Sequence, residues 1–313
     1  MGLNNKTTGT QTIEKKLIIE KKTINDKIIA LGGNPNVGKS TVFNNLTGLN
    51  QHTGNWPGKT VSNAQGSYIY NNNNFILVDI PGTYSLMANS VEEEIARDFI
   101  CFGNPDTTVI VVDATCLERN LNLVLQTLEI TSKVVVCINL LDEAKRKNIY
   151  IDLYSLSNEL GVPVVGTSAI QKKGLDELMS TIYTVSFSKN PSNTLKVIYE
   201  DKIEEAISQV ELFVKPLLKD RLNPRWVSIK LLDGDITFLN SINDYLGINI
   251  NEQTELMNQV YKSKQLLYLN GINNTVLRDS MVTTLVSEAE KISNKVVSFN
   301  DPNYNNRDRK IDS

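Results

Sequence analysis

The octapeptide Gly33-Asn34-Pro35-Asn36-Val37-Gly38-Lys39-Ser40 constrains the fold of this chain more than any other feature. It fits the pattern G-x4-G-K-[ST], follows an apolar run at residues 28–31 and precedes a segment that opens a helix. In that setting, main-chain N–H groups and the N-terminus of the helix favour a bound phosphate group. The alternative is a glycine-rich turn without a ligand, but the position between strand and helix favours phosphate binding.

The motif also assigns roles to its residues. We expect Lys39 to reach the β- and γ-phosphate oxygens of a nucleoside triphosphate, and the Ser40 hydroxyl to bind Mg²⁺. The main chain of the turn is expected to surround the phosphates. The candidate nucleotide-binding residues of this loop are Asn34, Pro35, Asn36, Val37, Gly38, Lys39, Ser40 and Thr41.

Short apolar runs without polar alternation recur up to about residue 187, and segments with helical spacing separate them. The runs are residues 28–31, 75–78, 109–112, 134–138 and 164–165. Such runs are typical of a parallel sheet that is buried on both faces. Residues 67–70, followed by four asparagines and a further run, indicate one antiparallel hairpin. The sequence therefore predicts a doubly wound α/β fold with a mostly parallel sheet.

The second half of the chain has a different pattern. Ile203, Ala206, Ile207 and Val210 follow the i, i+3, i+4, i+7 spacing of an amphipathic helix. We predict a nucleotide-binding α/β domain over residues 25–187 and a small all-helical domain, with no strand of its own, over residues 188–300. Residues 1–24 are expected to form a flexible arm rather than a membrane-surface patch, and residues 301–313 a polar linker.

Composition excludes several classes of function. Lys and Arg number 32 against 35 Asp and Glu, so the chain lacks the basic field that recruits nucleic acid. Cys101, Cys116 and Cys137 are too widely spaced for a CxxC zinc or redox site, and we expect small buried apolar residues there. His52 is the only histidine, which excludes a histidine triad and an HExxH metal site; a surface position is expected. No apolar run approaches the roughly 20 residues that span a bilayer.

A second candidate stretch, Asp79-Ile80-Pro81-Gly82, ends an apolar strand. The Asp79 carboxylate there could hold Mg²⁺ through water, and the Gly82 amide could contact a γ-phosphate. Alone this signal is weak, because many strands end in Asp and turn at Pro-Gly.

Two later strand ends carry residues suited to a purine base. In Asn139-Leu140-Leu141-Asp142, a carboxylate that accepts from two guanine N–H groups would select guanine over adenine. The alternative for Asp142 is a helix N-cap. Ser168 and Ala169 follow the last strand, where backbone amides could meet the guanine O6. The joint order of these stretches predicts a P-loop GTPase fold with a Ras-like sheet, although Leu140 replaces the lysine usual at that position.

The chain resembles the ferrous iron transport protein B family across residues 25–300, and the match goes beyond the general nucleotide motifs. The matching stretches are Gly33-Asn34-Pro35-Asn36, Thr47-Gly48, Gly54-Asn55-Trp56-Pro57-Gly58-Lys59-Thr60-Val61, Asp79-Ile80-Pro81-Gly82-Thr83-Tyr84-Ser85-Leu86, Val112-Asp113-Ala114, Leu117-Glu118-Arg119-Asn120-Leu121 and Arg225-Trp226-Val227-Ser228-Ile229-Lys230-Leu231-Leu232. We call residues 54–61 the switch I segment and residues 79–86 the switch II segment.

The resemblance implies further site residues. Thr60 resembles the switch I threonine that completes Mg²⁺ coordination, so Lys39, Thr60 and Gly82 become the catalytic candidates, with Mg²⁺ held by Ser40, Thr60 and Asp79. Asn36 resembles an asparagine that helps to bind K⁺ in potassium-activated members, together with the backbone at Gly54 and Trp56. The alternative for Asn36 is a turn residue that caps its own backbone. Trp56 is expected to be exposed and mobile.

The resemblance also implies a function. The expected activity is Mg²⁺-dependent and K⁺-stimulated hydrolysis of GTP to GDP. The rate is expected to be slow, because Thr83 stands where Ras-like proteins carry a water-positioning glutamine. The chain would be the soluble regulatory part of a ferrous iron transporter, at the cytoplasmic face of a bacterial cell membrane. Its partners would be a guanine nucleotide, its own membrane-spanning domain and a second copy of itself in a homo-oligomer, but no nucleic acid. The alternatives are a ribosome-assembly or tRNA-modification GTPase, which predicts a basic companion domain, and an ATPase.

Overall fold

The computed structural model describes residues 19, 21, 23, 25–48, 51–57, 59–87, 90–188 and 193–299. The predicted linker at residues 301–313 and nearly all of the predicted arm at residues 1–24 lie outside the described residues. The division into domains at residues 187 and 188 stays a prediction.

A seven-stranded sheet forms the centre of the first half, in the order β2-β3-β4-β1-β5-β6-β8. The strands are β1 (Lys27–Gly33), β2 (Gln51–Asn55), β3 (Ser62–Tyr70), β4 (Asn73–Asp79), β5 (Thr107–Asp113), β6 (Val134–Asn139) and β8 (Val164–Gly166). Strands β4, β1, β5, β6 and β8 pair in parallel, whereas β2 with β3 and β3 with β4 pair antiparallel. This mostly parallel sheet with its antiparallel hairpin confirms the predicted fold class.

The strands are apolar throughout because helices cover both faces of the sheet. The helices of this half are α1 (Lys39–Thr47), α2 (Val91–Phe102), α3 (Leu117–Ile130), α4 (Leu141–Arg146), α5 (Leu153–Leu160) and α6 (Leu175–Phe187). Successive side chains of a strand point to opposite faces. Accordingly, Ile29 and Leu31 of β1 pack in one apolar cluster with α1 and α6, while Ile28 and Ala30 pack in the other with α2 and α3.

Five further helices follow: α7 (Asp201–Leu218), α8 (Pro224–Asp233), α9 (Ile236–Leu246), α10 (Thr254–Leu269) and α11 (Asn274–Val296). Asn223 caps α8 by accepting from the N–H groups of Arg225 and Trp226, and Pro224 occupies the first turn, where its missing N–H costs nothing. Trp226 is buried, which confirms its predicted place in the core of this helical region.

The helical region shares its core with the α/β half. Helix α11 packs against α3, and both contribute to one apolar cluster, among them Leu121 and Leu125 of α3 and Leu285 and Ile292 of α11. Because the cluster is continuous, the apolar face of α2 and α3 is buried only when the helical region packs on it. Such burial stabilises the fold by about 25 cal/mol per Å² of apolar surface removed from water.

A buried ionic cluster joins α2 to the start of α9. Arg97 is fully buried, and its Nη1 lies 2.6 Å from Asp235 Oδ2. Its Nε and Nη2 donate to Asp98 Oδ1 at 2.9 and 2.7 Å, and Asp98 Oδ2 accepts from the Ser241 hydroxyl at 2.7 Å. Because a buried charge is costly without its partners, this cluster fixes the position of α2 against the helical region.

Two details of the prediction are wrong. The helical region does contain a strand, β9 (Val297–Phe299), which pairs antiparallel with β7 (Ile149–Ile151) in the α/β half. A three-residue strand whose partner is far away in sequence leaves no periodic signal. Cys116 is exposed at the end of a 3-10 turn rather than buried, whereas Cys101 and Cys137 are buried as expected.

Candidate nucleotide-binding site

The phosphate-binding turn lies between β1, which ends at Gly33, and α1, which begins at Lys39. Asn36 and Gly38 adopt positive φ angles of 67° and 80°. Alternating backbone conformations of this kind aim successive N–H groups into a common concavity, which suits an anion. The positive φ favours glycine at position 38. A second reason is space, because a Cβ there would lie 2.4 Å from the Asn139 Nδ2.

Lys39 contacts the end of the neighbouring strand β4. Its Nζ forms an ion pair with Asp79 and donates to the carbonyl oxygen of Ile80 at 2.8 Å. Burial raises the pKa of the Asp79 carboxyl group, and the positive charge of Lys39 opposes that rise. The structure therefore brings together the predicted phosphate-binding lysine and the predicted Mg²⁺-binding carboxylate.

Asn139, at the end of β6, connects the phosphate-binding turn to the loop after β8. Its Nδ2 donates to the Val37 carbonyl at 3.0 Å. Its Oδ1 accepts from the Thr167 hydroxyl and from the Ala169 N–H, each at 3.0 Å. The side chain is buried, so these three hydrogen bonds hold two predicted site loops in one place.

Asp142 is half-buried in the first turn of α4, beside the loop after β8. Its N–H donates to the Ser168 hydroxyl at 3.1 Å, and its Oδ2 accepts from Gln171 Nε2 at 3.3 Å. The N-cap of α4 is Leu140, so the alternative of Asp142 as a helix cap is wrong. Asp142 thus contacts the loop after β8 in two ways, with its main chain at Ser168 and with its carboxylate at Gln171.

Three further residues beside the candidate site were not predicted to belong to it. Leu140 has a φ of 64°, and its Cδ2 would lie 3.8 Å from a Cβ at Gly38, so it lies beside the phosphate-binding turn. Asn45 of α1 donates to the Ala169 carbonyl at 2.8 Å. Gln171 contacts Asp142 as described. Their partners are 29 to 124 residues away in sequence, and only the fold brings them together.

The switch I segment packs on α2. Trp56 is buried, with its ring edge-to-face on Phe99 at a centroid distance of 5.5 Å, so the expectation of an exposed and mobile ring is wrong. The main-chain N–H of Trp56 donates to the Val61 carbonyl at 2.8 Å, and the Trp56 carbonyl accepts from the Lys59 N–H at 2.9 Å. Burial of the large apolar indole against α2 stabilises this position. The polar residues around Trp56 in the sequence give no indication of that burial.

The structure does not bring every predicted metal ligand together. Thr60 and Gly54 are exposed, and Gly54 lies in strand β2 opposite Asn63. Among the described residues, no hydrogen bond joins Thr60 to Ser40, and none joins Asn36 to the switch I segment. His52 is exposed in β2, as expected for a surface residue.

The switch II segment lies on the phosphate-binding turn and on α3. The Thr83 N–H donates to the Gly33 carbonyl at 3.3 Å, and the Leu86 N–H donates to Gln126 Oε1 at 2.6 Å. The Tyr84 ring lies 4.6 Å from the Arg119 guanidinium carbon, a cation–π contact. Gly82 is therefore close to the turn, as its predicted contact with a γ-phosphate requires.

No group of three or more His, Cys, Asp or Glu side chains in the described part of the chain is arranged to hold a metal ion. Within the same residues, no helix combines the length and the apolar character needed to cross a membrane.

The sheet, the phosphate-binding turn and the loops after β4, β6 and β8 define the class of this chain, a P-loop G domain followed by a helical region. A family model described as "Ferrous iron transport protein B" matches residues 27–182, and one described as "FeoB cytosolic helical domain" matches residues 199–298. The chain belongs to the ferrous iron transport protein B family, which confirms the resemblance seen in its sequence.

Curated relatives are much longer than this chain. The Fe(2+) transporter FeoB of Escherichia coli (strain K12) is 39% identical over 213 residues, which are 66% of this chain and 27% of the relative. That of Salmonella typhimurium (strain LT2) is 37% identical over 215 residues, again 66% of this chain and 27% of the relative. The chain thus spans little more than a quarter of these relatives.

Solved structures of similar proteins cover most of this chain. The cytosolic domain of T. maritima FeoB in a GDP form has a TM-score of 0.69 and 31% identity, covering 87% of this chain and 100% of that one. A GDP-bound mutant of S. thermophilus NFeoB has a TM-score of 0.72 and 31% identity, with the same coverage. The cytosolic domain of L. pneumophila FeoB has a TM-score of 0.69 and 28% identity, covering 87% and 99%.

The contact between Gly38 and Asn139 yields a test with a matched control. Gly38 and Gly48 both have positive φ, but a Cβ at Gly48 would meet nothing within 4 Å. Gly48→Ala should lower the free energy of unfolding by about 1–2 kcal/mol, the cost of a left-handed alanine. Gly38→Ala should lower it by at least about 1 kcal/mol more, because Asn139 must give up hydrogen bonds. Urea denaturation measures both, and equal losses would contradict the contact.

Proposed function

We propose that this chain binds GTP and GDP, hydrolyses GTP slowly, and is the regulatory G domain and helical region of a ferrous iron transporter. The observation that carries the proposal is the convergence of Lys39, Asp79, Asn139 and Asp142 at the carboxyl ends of β1, β4 and β6. Membership of the family supports it, and so do similar structures described as bound to GDP.

In the proposed complex, the phosphates are bound by the N-terminus of α1 and by the main-chain N–H groups of Asn34, Asn36, Val37 and Gly38. Lys39 leaves Asp79 and pairs with phosphate oxygens, while Ser40 and Thr41 complete the first turn. Asp142 accepts from the two N–H groups of guanine, and the loop at Ser168 and Ala169 contacts its O6. An adenine base would leave the Asp142 carboxylate without these donors.

The oxygen donors around Lys39 fit Mg²⁺, which prefers hydroxyl, carboxylate and water ligands. Ser40 is exposed in the first turn of α1, next to the lysine that already reaches Asp79. We assign Ser40, Asp79 and Thr60 to this ion, which would neutralise charge on the phosphates. Thr60 is exposed in switch I, so that segment must move for the threonine to join the other two.

The proposed K⁺ site consists of Asn36, Gly54 and Trp56. These residues could bind the ion together only after switch I rearranges. The Trp56 carbonyl accepts from the Lys59 N–H, and Gly54 is part of β2. Switch I would have to leave this arrangement to present both carbonyls to an ion beside Asn36. The proposed catalytic group is then Lys39, Thr60 and the Gly82 amide, with slow hydrolysis because Thr83 cannot orient water as a glutamine does.

The transporter part of the proposal concerns a protein longer than this chain. We infer a G domain over residues 25–187 and a helical domain over residues 188–300, at the cytoplasmic face of a bacterial membrane. Nucleotide state would reach the membrane-spanning part through α2, which Arg97 links to the helical region. A homo-oligomer is the expected assembly, and ferrous iron is the proposed cargo.

Guanine selection can be tested by replacing one carboxylate. Asp142→Asn should weaken GDP binding by at least about tenfold, because an amide cannot accept from both guanine donors. Glu143→Gln makes the same chemical change one residue later and should leave GDP affinity within about twofold. Calorimetry measures GDP affinity for the two variants and the unmodified protein. A second measurement compares ATP and GTP as competitors for the unmodified protein. A preference for ATP, or equal effects of both substitutions, would contradict the proposal.

Potassium stimulation is tested by GTP turnover in KCl and in NaCl at equal ionic strength. We expect faster turnover in KCl, and loss of the difference in Asn36→Gly. Glycine removes the side-chain oxygen and tolerates the φ of 67° at this position, so the turn itself should persist. Equal rates in the two salts would remove K⁺ from the proposed mechanism.

A further inference from the structure

The side-chain amide of Asn34 is buried without a hydrogen-bond partner in the part of the chain that the structure describes. The residue is 3% exposed, and neither its Oδ1 nor its Nδ2 has a hydrogen-bond partner among the described residues. A buried amide without hydrogen bonds is expensive, and an apolar side chain at the same place would avoid that cost. An unpartnered amide in a ligand-binding loop therefore points to a second conformation in which it is paired.

The missing partner does not lie in the phosphate pocket. Pro35, Asn36 and Ser40, which surround that pocket, are all exposed. In contrast to these exposed neighbours, both polar atoms of Asn34 are inaccessible to solvent. The partner must therefore belong to the protein on the inner side of the turn.

Switch II is the segment of the protein that contacts the turn on both sides of Asn34. The Thr83 N–H donates to the carbonyl of Gly33, the residue before Asn34, and Gly82 lies against Pro35, the residue after it. The Thr83 bond is 3.3 Å long, beyond the usual range for an N–H···O bond, so the loop is held weakly here. A small shift of switch II would change which groups it presents to Asn34.

We propose that the Asn34 amide hydrogen-bonds the main chain of switch II, at Gly82–Tyr84, when a nucleoside triphosphate occupies the site. This inference rests on the nucleotide binding proposed above. The γ-phosphate attracts the Gly82 amide, the switch II main chain shifts, and Asn34 gains the partner that it lacks in this conformation. Asn34 is then a positioning residue that favours the triphosphate over the diphosphate, because only the γ-phosphate moves switch II.

Two substitutions of Asn34 test this role by the ratio of two affinities. Asn34→Leu and Asn34→Ala should lower the ratio of GMPPNP affinity to GDP affinity about three- to tenfold, the effect of one lost hydrogen bond. GDP affinity should fall by a smaller factor than GMPPNP affinity, because the main-chain contacts of residue 34 are shared by both nucleotides. The nucleotide-free protein carrying Asn34→Leu should resist urea as well as the unmodified protein or better, because no bond is lost in that state.

Thr108→Val is the matched control. Thr108 in β5 also has a buried, unpartnered side-chain oxygen, and valine has the same shape without it. This variant should leave the affinity ratio unchanged. Parallel losses for GMPPNP and GDP in the Asn34 variants, or no change in the ratio, would overturn the assignment. If the unmodified protein bound neither nucleotide, the proposed function itself would fall, and this inference with it.

Discussion

The side-chain amide of Asn139 is the interaction on which the site depends. One amide joins the phosphate-binding turn, through the Val37 carbonyl, to the loop that carries Ala169. It uses three of its four hydrogen-bonding positions in a buried environment, where such bonds are stronger and their loss is costly. The distance between the phosphate-binding turn and the loop after β8 is thereby fixed. The same amide explains why position 38 needs glycine.

A second constraint connects this site to the helical region. Lys39 pairs with Asp79 at the start of switch II, and the loop continues to Leu86, whose N–H is held by Gln126 of α3. Helix α2 follows, and its buried Arg97 pairs with Asp235 in front of α9. A ligand that separates Lys39 from Asp79 therefore disturbs a loop whose two ends are fixed. Motion of that loop is either resisted or passed to α2 and the helical region.

The sequence predicted the parts that rest on local rules. The phosphate-binding turn and the parallel strands were predicted correctly, because the motif and uninterrupted apolar runs are local signals. Strands β2 and β9 were not predicted, since a polar run such as residues 51–55 becomes a strand only through its neighbour β3. The burial of Trp56 follows from Phe99, 43 residues later, and no local pattern reveals it.

In the candidate site, too, some positions follow from local sequence and others only from tertiary contacts. The positions of Lys39, Asp79 and Asp142 could be predicted, because strand ends of a parallel sheet meet at one edge. The bonds of Asn45 to Ala169 and of Gln171 to Asp142 could not be predicted, since amide side chains bond to many groups and only the fold selects the partner. The buried, unpartnered amide of Asn34 is visible only in three dimensions.

The most direct measurement of the central claim is the affinity of GDP for Asn139→Ala, determined by calorimetry beside the unmodified protein. If the amide holds the phosphate and base loops in one site, GDP affinity should fall at least about tenfold while the protein stays folded. An affinity within about twofold of the unmodified protein would contradict the claim that these loops depend on Asn139.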